Sequence, residues 1–443
     1  MHLKNIPQVL AGEFQSLRQQ LQDQIDGDAL ARQSGFLRRR PRKIPMANFL
    51  VALLALAAES FLTLERVAAI IALAAQVSYS KQALHKRLSP AIERFVAQAA
   101  TCLFGNLPEA RTRLRGLLQP FGRVLLHDST VETLPEHLAK VFPGSGNQRK
   151  RYAALKIQFI TDLLSGQPLH LSLSGFTRND QAAAADILEV VRPGDLILRD
   201  LGYFVLRAFQ WIMELGAFFV SRCRTDMTFY DPRTGQPLDL ARQLRRCPHL
   251  DREVWLGAQK LPVRLVALPL PEEVANQRRH KAKKHGGQSS PPTAQRLFLM
   301  GWSLLITNVP RSLWPPRVLA AVYRLRWRVE MIFKAWKSHL GLRHFYCRSA
   351  SVLRLAVVTK LLFCVLVYCC CQSLELLCGQ VDHHISLQRL ARTMAVCACF
   401  VEASLLGISV ERLWEYSLAQ HIFYEPRKDR ENFCDSFAQL TTK

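Results

Sequence analysis

Residues 124–130 read Val-Leu-Leu-His-Asp-Ser-Thr and residues 195–200 read Asp-Leu-Ile-Leu-Arg-Asp, two apolar runs each closed by an aspartate. Short branched apolar runs of this kind are buried strands. Core strands rarely end on a carboxylate for packing reasons. Asp128 and Asp200 are therefore read as site residues, because the ends of strands in an α/β sheet are where such folds place ligands. Around them, Val124 to Thr130 is followed by Leu155 to Leu164, a Ser165-Gly166 turn and Leu169 to Leu173, which the short turn makes an antiparallel hairpin. A helix is expected from Asn179 to Val191. After Pro193 and Gly194 come the strand ending at Asp200, a helix from Phe204 to Glu214 and a strand from Ala217 to Cys223.

Three antiparallel strands, then helix, strand, helix, strand is the element order of a ribonuclease-H-like domain. The expected fold is α/β: a ribonuclease-H-like catalytic core, a mixed sheet flanked by helices, with an inserted strand-rich module and helical N- and C-terminal regions. The segments are 1–118 (helical, DNA-binding), 119–224 (core, first part), 225–300 (strand-rich insertion), 301–345 (core, second part, with the glutamate helix) and 346–443 (helical, a candidate dimer surface). Within the insertion, Asp231 to Gly235 is a turn and Val263 to Leu268 a strand. Arg278 to Lys284, five Lys or Arg in seven residues before Gly286 and Gly287, reads as a flexible basic loop. A strand is expected from Leu297 to Thr307 and one long helix from Pro316 to Leu340.

Lys and Arg number 59 against 35 Asp and Glu, a net charge of +24 in a chain that is 49% hydrophobic. Disorder is excluded as the main state, and a polyanionic partner is implied, because each cation set against a phosphate releases condensed counterions. The N-terminal third offers a place for it. Leu64 to Ala75 and Ser80 to Leu88 form a helix pair with a turn at Val77 and Ser78, preceded by an apolar helix from Ala47 to Ala58 and the basic run Arg38 to Lys43. The pair reads either as a helix-turn-helix presenting Lys81, Gln82, His85, Lys86 and Arg87 or as an ordinary hairpin with a solvated face. Arg149, Lys150 and Arg151 read as an exposed basic turn that could also track a DNA backbone.

No membrane span is expected. The longest clean apolar run, Leu361 to Cys371, has eleven residues, about half a span, and reads as a buried core helix. Met1 to Leu10 lacks a basic region followed by an apolar one, so no export signal is expected. The twelve cysteines crowd apolar segments such as 364–378 instead of spacing a disulfide framework, which points to small core residues in a reducing cytosol. Cys378 with Asp382, His383 and His384 does not have the spacing of a zinc site.

At about 100° per residue, with Tyr323 at zero, Arg326 falls at about 300°, Glu330 at about 340° and Lys337 at about 320°. Val322, Leu325, Val329, Ile332, Phe333, Trp336 and Leu340 take a separate apolar arc for packing on a sheet. One carboxylate is thus held among a phenol and two cations. A solvated helix face with an i,i+4 pair is the plainer reading. Asp128 and Asp200 tip the balance, since three converging carboxylates suit hard divalent cations, and two such ions can drive an in-line phosphoryl transfer.

Tyr, two residues, Arg, three residues, Glu, six residues, Lys is the signature of the insertion-sequence-four group of bacterial DDE transposases, and Tyr323, Arg326, Glu330 and Lys337 match it without a gap. His-Asp-Ser-Thr at 127–130 resembles the group's first-aspartate motif and Asp-Leu-Gly-Tyr-Phe at 200–204 its second. The resemblance covers about residues 120 to 345. It implies that Asp128, Asp200 and Glu330 ligate two Mg2+ or Mn2+ ions and that Tyr323, Arg326 and Lys337 grip DNA phosphates. Trp302, 28 residues before Glu330, resembles the aromatic that holds a flipped base, and in its apolar strand it reads equally as core. His127 should point to the opposite strand face from Asp128.

The expected function is therefore an insertion-sequence transposase working by cut-and-paste: strand cleavage at terminal inverted repeats, in some members through a hairpin, then attack of the freed 3′-hydroxyl on target DNA. The implied partners are double-stranded DNA and a second protomer in a synaptic complex, with no membrane, in the bacterial cytoplasm on the nucleoid. The alternatives are a ribonuclease-H-like nuclease without strand transfer and an inactive, transposon-derived DNA-binding repressor.

Overall fold

The computed structural model describes residues 6–38, 43–59, 62–105, 115–146, 152–165, 167–285, 291–327, 329–330, 333–334, 337, 349–378 and 387–412. The basic residues 39–42 and 149–151 and the Asp382–His384 segment lie outside them.

The quoted runs are strands β1 (Val124–Leu134) and β4 (Leu196–Arg199), and they pair in parallel with His127 opposite Arg199. β2 (Ala153–Asp162) lies antiparallel on the other side of β1 and β3 (Pro168–Gly175) antiparallel to β2, while β5 (Phe218–Arg222) runs parallel to β4. The order β3-β2-β1-β4-β5 is that of a ribonuclease-H-like core. The insertion is less separate than its sequence suggests. Strands β6 (Phe229–Tyr230), β7 (Leu250–Leu256) and β8 (Leu261–Pro269) join the same sheet through β9 (Trp302–Thr307), which pairs antiparallel with both β5 and β8, giving nine strands.

Alternation along β1 splits the apolar residues between two layers. Leu126, Leu155, Ile157, Phe159 and Leu198 face the larger core, which contains Val322, Val329 and Phe333 as well as the N- and C-terminal helices. Leu125, Ile160, Ile197 and Phe219 face the smaller core, under the helix Leu206–Glu214. The helix Ala350–Cys378 buries Leu361, Leu362, Phe363, Leu366 and Val367 in the larger core, as a core helix should. It packs on Met46–Ala55 and Ala91–Gly105, and Ala398–Leu406 packs on Ile6–Gln19 and Met46–Ala55, so the two ends of the described chain form one helical layer. Lys360 Nζ caps the Ala57 carbonyl at 3.2 Å across that layer, and Arg66 pairs with Glu402.

In the N-terminal pair, Leu64–Ala75 ends on left-handed Gln76 and Lys81–Arg87 begins on the Ser80 cap. Only Leu84 of the second helix is buried. Gln82, His85 and Lys86 are exposed, Arg87 lies over the Tyr79 ring and Lys81 pairs with Glu65.

Four sequence expectations are corrected. Asn179 to Val191 is a series of turns with a 3-10 segment, Ala184–Glu189. Its alanines favour a helix, but the buried Arg199 guanidinium takes the Ala184 carbonyl, and that tertiary bond outweighs propensity. The basic run 278–284 lies in a helix, Glu272–His285: Lys and Arg are good helix formers, two glutamates open it, and Arg278 and Arg279 reach the carbonyls of Trp302 and Leu297. Leu297 belongs to a Thr293-capped helix, Ala294–Leu299, and the strand starts only at Trp302. The long helix from Pro316 breaks after Arg324 into a tight turn in which the amides of Leu325 and Arg326 bond three residues back, and helical residues resume at Trp327.

Candidate active site

Three of the predicted residues reach one another only through the fold. Asp128 lies within β1, Asp200 is the first residue past β4, and Glu330 is on the helical turn after the break. They meet around Arg326, which is 5% exposed. Its Nη1 donates to Asp128 Oδ2 at 3.0 Å and its Nη2 to Glu330 Oε1 at 2.7 Å, while Nε stands 3.9 Å from Asp200 Oδ1. The Tyr323 hydroxyl donates to Asp200 Oδ1 at 3.4 Å. Tyr323, Arg326 and Glu330 therefore converge as the sequence pattern predicts, although the helix between them is not regular.

Burial pushes the Asp128 carboxyl up to about 6. The Ser129 amide and Arg326 oppose that rise, and Asp200 and Glu330 add to it. Burial by itself would depress the Arg326 guanidinium, but Asp200, Tyr323, Glu330 and Asp128 hold it above its ordinary value. Burial and then Asp200 raise the Tyr323 phenol. Among the described residues, no group of three or more Asp, Glu, His or Cys side chains is disposed to hold a metal ion as it stands.

Lys337 is engaged elsewhere. Its Nζ donates to the Val131 carbonyl at 2.8 Å and pairs with Glu132 at 2.6 Å, both on β1. Trp302 is half-buried at the start of β9, its ring 6.3 Å from that of Phe298 and packed against the smaller core. His127 is fully buried on the opposite face of β1, 3.2 Å from Arg199, and burial followed by Arg199 holds it well below its ordinary value, so it is neutral.

The sequence reading missed three residues. Arg222, next along β5 after the Ser221–Arg199 pair, places Nη1 3.9 Å from Asp200 Oδ1. Asp180 accepts from Ser129, Gln158 and Lys156 beneath the first-aspartate motif. Trp327 is 60% exposed beside Arg326. Strand register would have found Arg222, since it follows Ser221 as Asp200 follows Arg199. An aromatic off the apolar arc of the wheel would have found Trp327.

A mixed sheet of ribonuclease-H-like order carrying one carboxylate within β1, one just past the neighbouring β4 and one on a helical turn defines the class. The Transposase DDE domain family model matches residues 119–367, and the chain belongs to that family. It is 30% identical over 293 residues to the transposase for insertion sequence element IS231B of Bacillus thuringiensis subsp. berliner, covering 60% of each chain. It is 30% identical over 307 residues to that for IS231C of the same organism, with 64% of each covered. It is 26% identical over 286 residues to that for IS1151 of Clostridium perfringens, with 58% of this chain and 59% of the relative covered. The chain thus spans about three-fifths of the length of these relatives. A solved structure titled as a piggyBac transposase synaptic complex with hairpin DNA aligns over 98% of this chain and 88% of its own, at 9% identity and a TM-score of 0.44. Membership of a DDE transposase family implies divalent-metal use in general terms. No helix among the described residues is long and apolar enough to cross a membrane.

Proposed function

We propose that this chain is the transposase of an insertion sequence and moves DNA by cut-and-paste phosphoryl transfer. The observation that carries the reading is the meeting of Asp128, Asp200 and Glu330 on one guanidinium, although 72 and 130 residues separate them in sequence. Family membership supports it.

The donor set fits the cations that the family implies. Three carboxylates give only oxygen, the preference of Mg2+ and Mn2+, and their side chains are partly open to solvent. Asp128, Asp200 and Glu330 would hold two such ions, which when bound supply charge neutralisation and an activated water or 3′-hydroxyl. The protein's own groups do the positioning. The Ser129 amide fixes Asp128 Oδ1 at 2.8 Å, Tyr323 and Arg222 orient Asp200, and Arg326 is the cation best placed to meet a phosphate beside the carboxylates. A phosphate role for Lys337 requires its release from Glu132.

The partners in this reading are the terminal inverted repeats, then target DNA, held by a chain of net charge +24. Two protomers act on paired ends, in the cytoplasm. The segments 1–118 and 346–443 flank the catalytic part, with the exposed donors of Lys81–Arg87 as DNA contacts. Magnesium-dependent cleavage and joining of a duplex bearing the inverted repeat that flanks the gene is the test. Loss of both in Asp128→Ala, Asp200→Ala and Glu330→Ala, with DNA binding retained, is the expected result. Binding without cleavage by the intact chain favours a repressor, and cleavage undiminished by the substitutions moves the active site elsewhere.

A further inference from the structure

Arg326 occupies the place where the three carboxylates meet, and it hydrogen-bonds one oxygen of each of two of them. Asp128 Oδ1 accepts from the Ser129 amide at 2.8 Å, and Oδ2 is the atom Arg326 Nη1 holds at 3.0 Å. Glu330 gives Oε1 to Nη2 at 2.7 Å. Asp200 Oδ1 faces Nε at 3.9 Å, and that nitrogen, though buried, has no hydrogen-bond partner. The side chain is thus drawn into the cluster by charge, with one of its own donors left unmet.

The arrangement is incomplete by charge. Arg326 and Arg222 together bring two positive charges to three carboxylates, whereas two dications bring four and approach oxygen to about 2.1 Å, much closer than a nitrogen donor can. A dication set between these carboxylates would take the space the guanidinium fills and would repel its charge. Tyr323 at Asp200 and Lys337 at Glu132 repeat the pattern: each predicted phosphate ligand is turned onto a carboxylate of its own chain, and Arg222 stands at Asp200 as well.

We propose that Arg326 is the resident counter-ion of the DNA-free site and turns out of the carboxylate cluster onto a DNA phosphate before divalent cations enter, so that end binding and metal loading are coupled through one side chain. The inference rests on the reading above, in which these carboxylates are the metal ligands. It makes Arg326 a positioning residue that excludes metal from the empty enzyme and confines hydrolytic chemistry to the DNA-bound one. Linkage requires the coupling to be reciprocal: DNA tightens the metal by the factor by which the metal tightens DNA.

The test is Mn2+ binding to the full chain, followed by electron paramagnetic resonance of the free ion at one fixed pH and ionic strength, without turnover. DNA-free wild type should bind Mn2+ weakly. Arg326→Gln and Arg326→Ala should bind it about ten-fold more tightly or better, and Arg326→Lys, which keeps the charge, should stay near wild type. A duplex of the flanking inverted repeat should tighten Mn2+ on wild type by a similar factor and leave Arg326→Gln unchanged. Gln and Ala variants that bind no more tightly than wild type overturn the proposal, as does an equal DNA effect on wild type and Arg326→Gln. Should those variants not fold, the wild-type measurement alone decides, since a Mn2+ affinity indifferent to DNA overturns it too. Mn2+ bound by Arg326→Gln that survives Asp128→Asn, Asp200→Asn and Glu330→Gln shows instead that these carboxylates are not the metal ligands, which is a failure of the functional reading itself.

Discussion

Ser129 donates its hydroxyl to Asp180 Oδ1 at 2.7 Å while its amide holds Asp128 Oδ1 at 2.8 Å, so one residue ties the carboxylate on one face of β1 to a second carboxylate on the other. Asp180 also pairs with Lys156, whose side chain is 5% exposed, and accepts from Gln158, which takes the Tyr203 hydroxyl at 2.6 Å. The backbone of the first-aspartate motif is therefore braced from below by a polar cluster.

Asp180→Ala leaves the Lys156 ammonium buried without its partner, and breaking such a pair costs about 3 kcal/mol. Chemical denaturation should show that loss, and Lys156→Met in the same chain should recover most of it, because a buried ion pair can be replaced by apolar groups at little cost. A single variant as stable as wild type would mean that Lys156 finds another acceptor and that the brace is not structural.

Glu402 gives a pH-dependent stability. Burial pushes its carboxyl up to about 7; Arg66, bound at 2.6 and 2.8 Å, pulls it down and Glu59 pushes it up. The folded state therefore holds this proton more tightly than the unfolded chain, where the ordinary value is 4.5. The contribution to stability is fully present below 4.5 and is lost as pH rises to about 7, at about 1.4 kcal/mol per pH unit. Denaturation midpoints measured across that interval should fall in wild type and flatten in Glu402→Gln. The same slope in both proteins would assign the effect to another group.

Lys337 distinguishes a structural cation from a DNA-binding one. A residue that touched only phosphate could be removed with no change in stability and a salt slope reduced by about one. Lys337 is instead bound to the Val131 carbonyl and to Glu132, which is itself buried. Lys337→Ala should therefore lower stability by about 2 kcal/mol as well as weaken DNA binding, and Glu132→Gln beside it should restore part of the stability without restoring the binding. Calorimetry and salt-dependent binding separate the two effects; a loss of binding alone leaves the Glu132 contact without structural weight.

What could be read from the sequence was local or periodic. Asp128 and Asp200 stood out because a carboxylate follows each apolar run, although β1 itself continues to Leu134, and Tyr323, Arg326 and Glu330 because their spacing puts them on one face. The features that were missed depend on distant residues. Asn179–Val191 looks helical until Arg199 claims the Ala184 carbonyl, and Arg199 has no counterpart in the local pattern. The basic run 278–284 has the density of a solvated loop, yet its arginines are anchored by the carbonyls of Trp302 and Leu297. Arg222 reaches Asp200 only through the parallel register of β4 and β5, and the continuity of the insertion with the core sheet depends on β9 pairing on both edges. The break at Leu325 and Arg326, whose amides bond three residues back, lies where a wheel assumes none.

Trp327 is an exposed aromatic beside the site. An indole 60% open to solvent, one residue from Arg326 and three from Glu330, buries too little to stabilise the fold. Trp327→Ala should accordingly leave stability within about 0.5 kcal/mol of wild type. Beside the carboxylates proposed to act on DNA, such a ring offers a face for a base, and base-aromatic stacking contributes about 1–3 kcal/mol. The contact is available only to a base that has left its stack. Binding to a duplex with an unpaired terminal base should then weaken by that amount in Trp327→Ala, Trp327→Phe should retain part of it, and binding to a fully paired duplex should change little. Equal losses on both duplexes would identify a backbone contact in place of stacking, and no loss on either would place the DNA path on another side of the helical turn that carries Glu330.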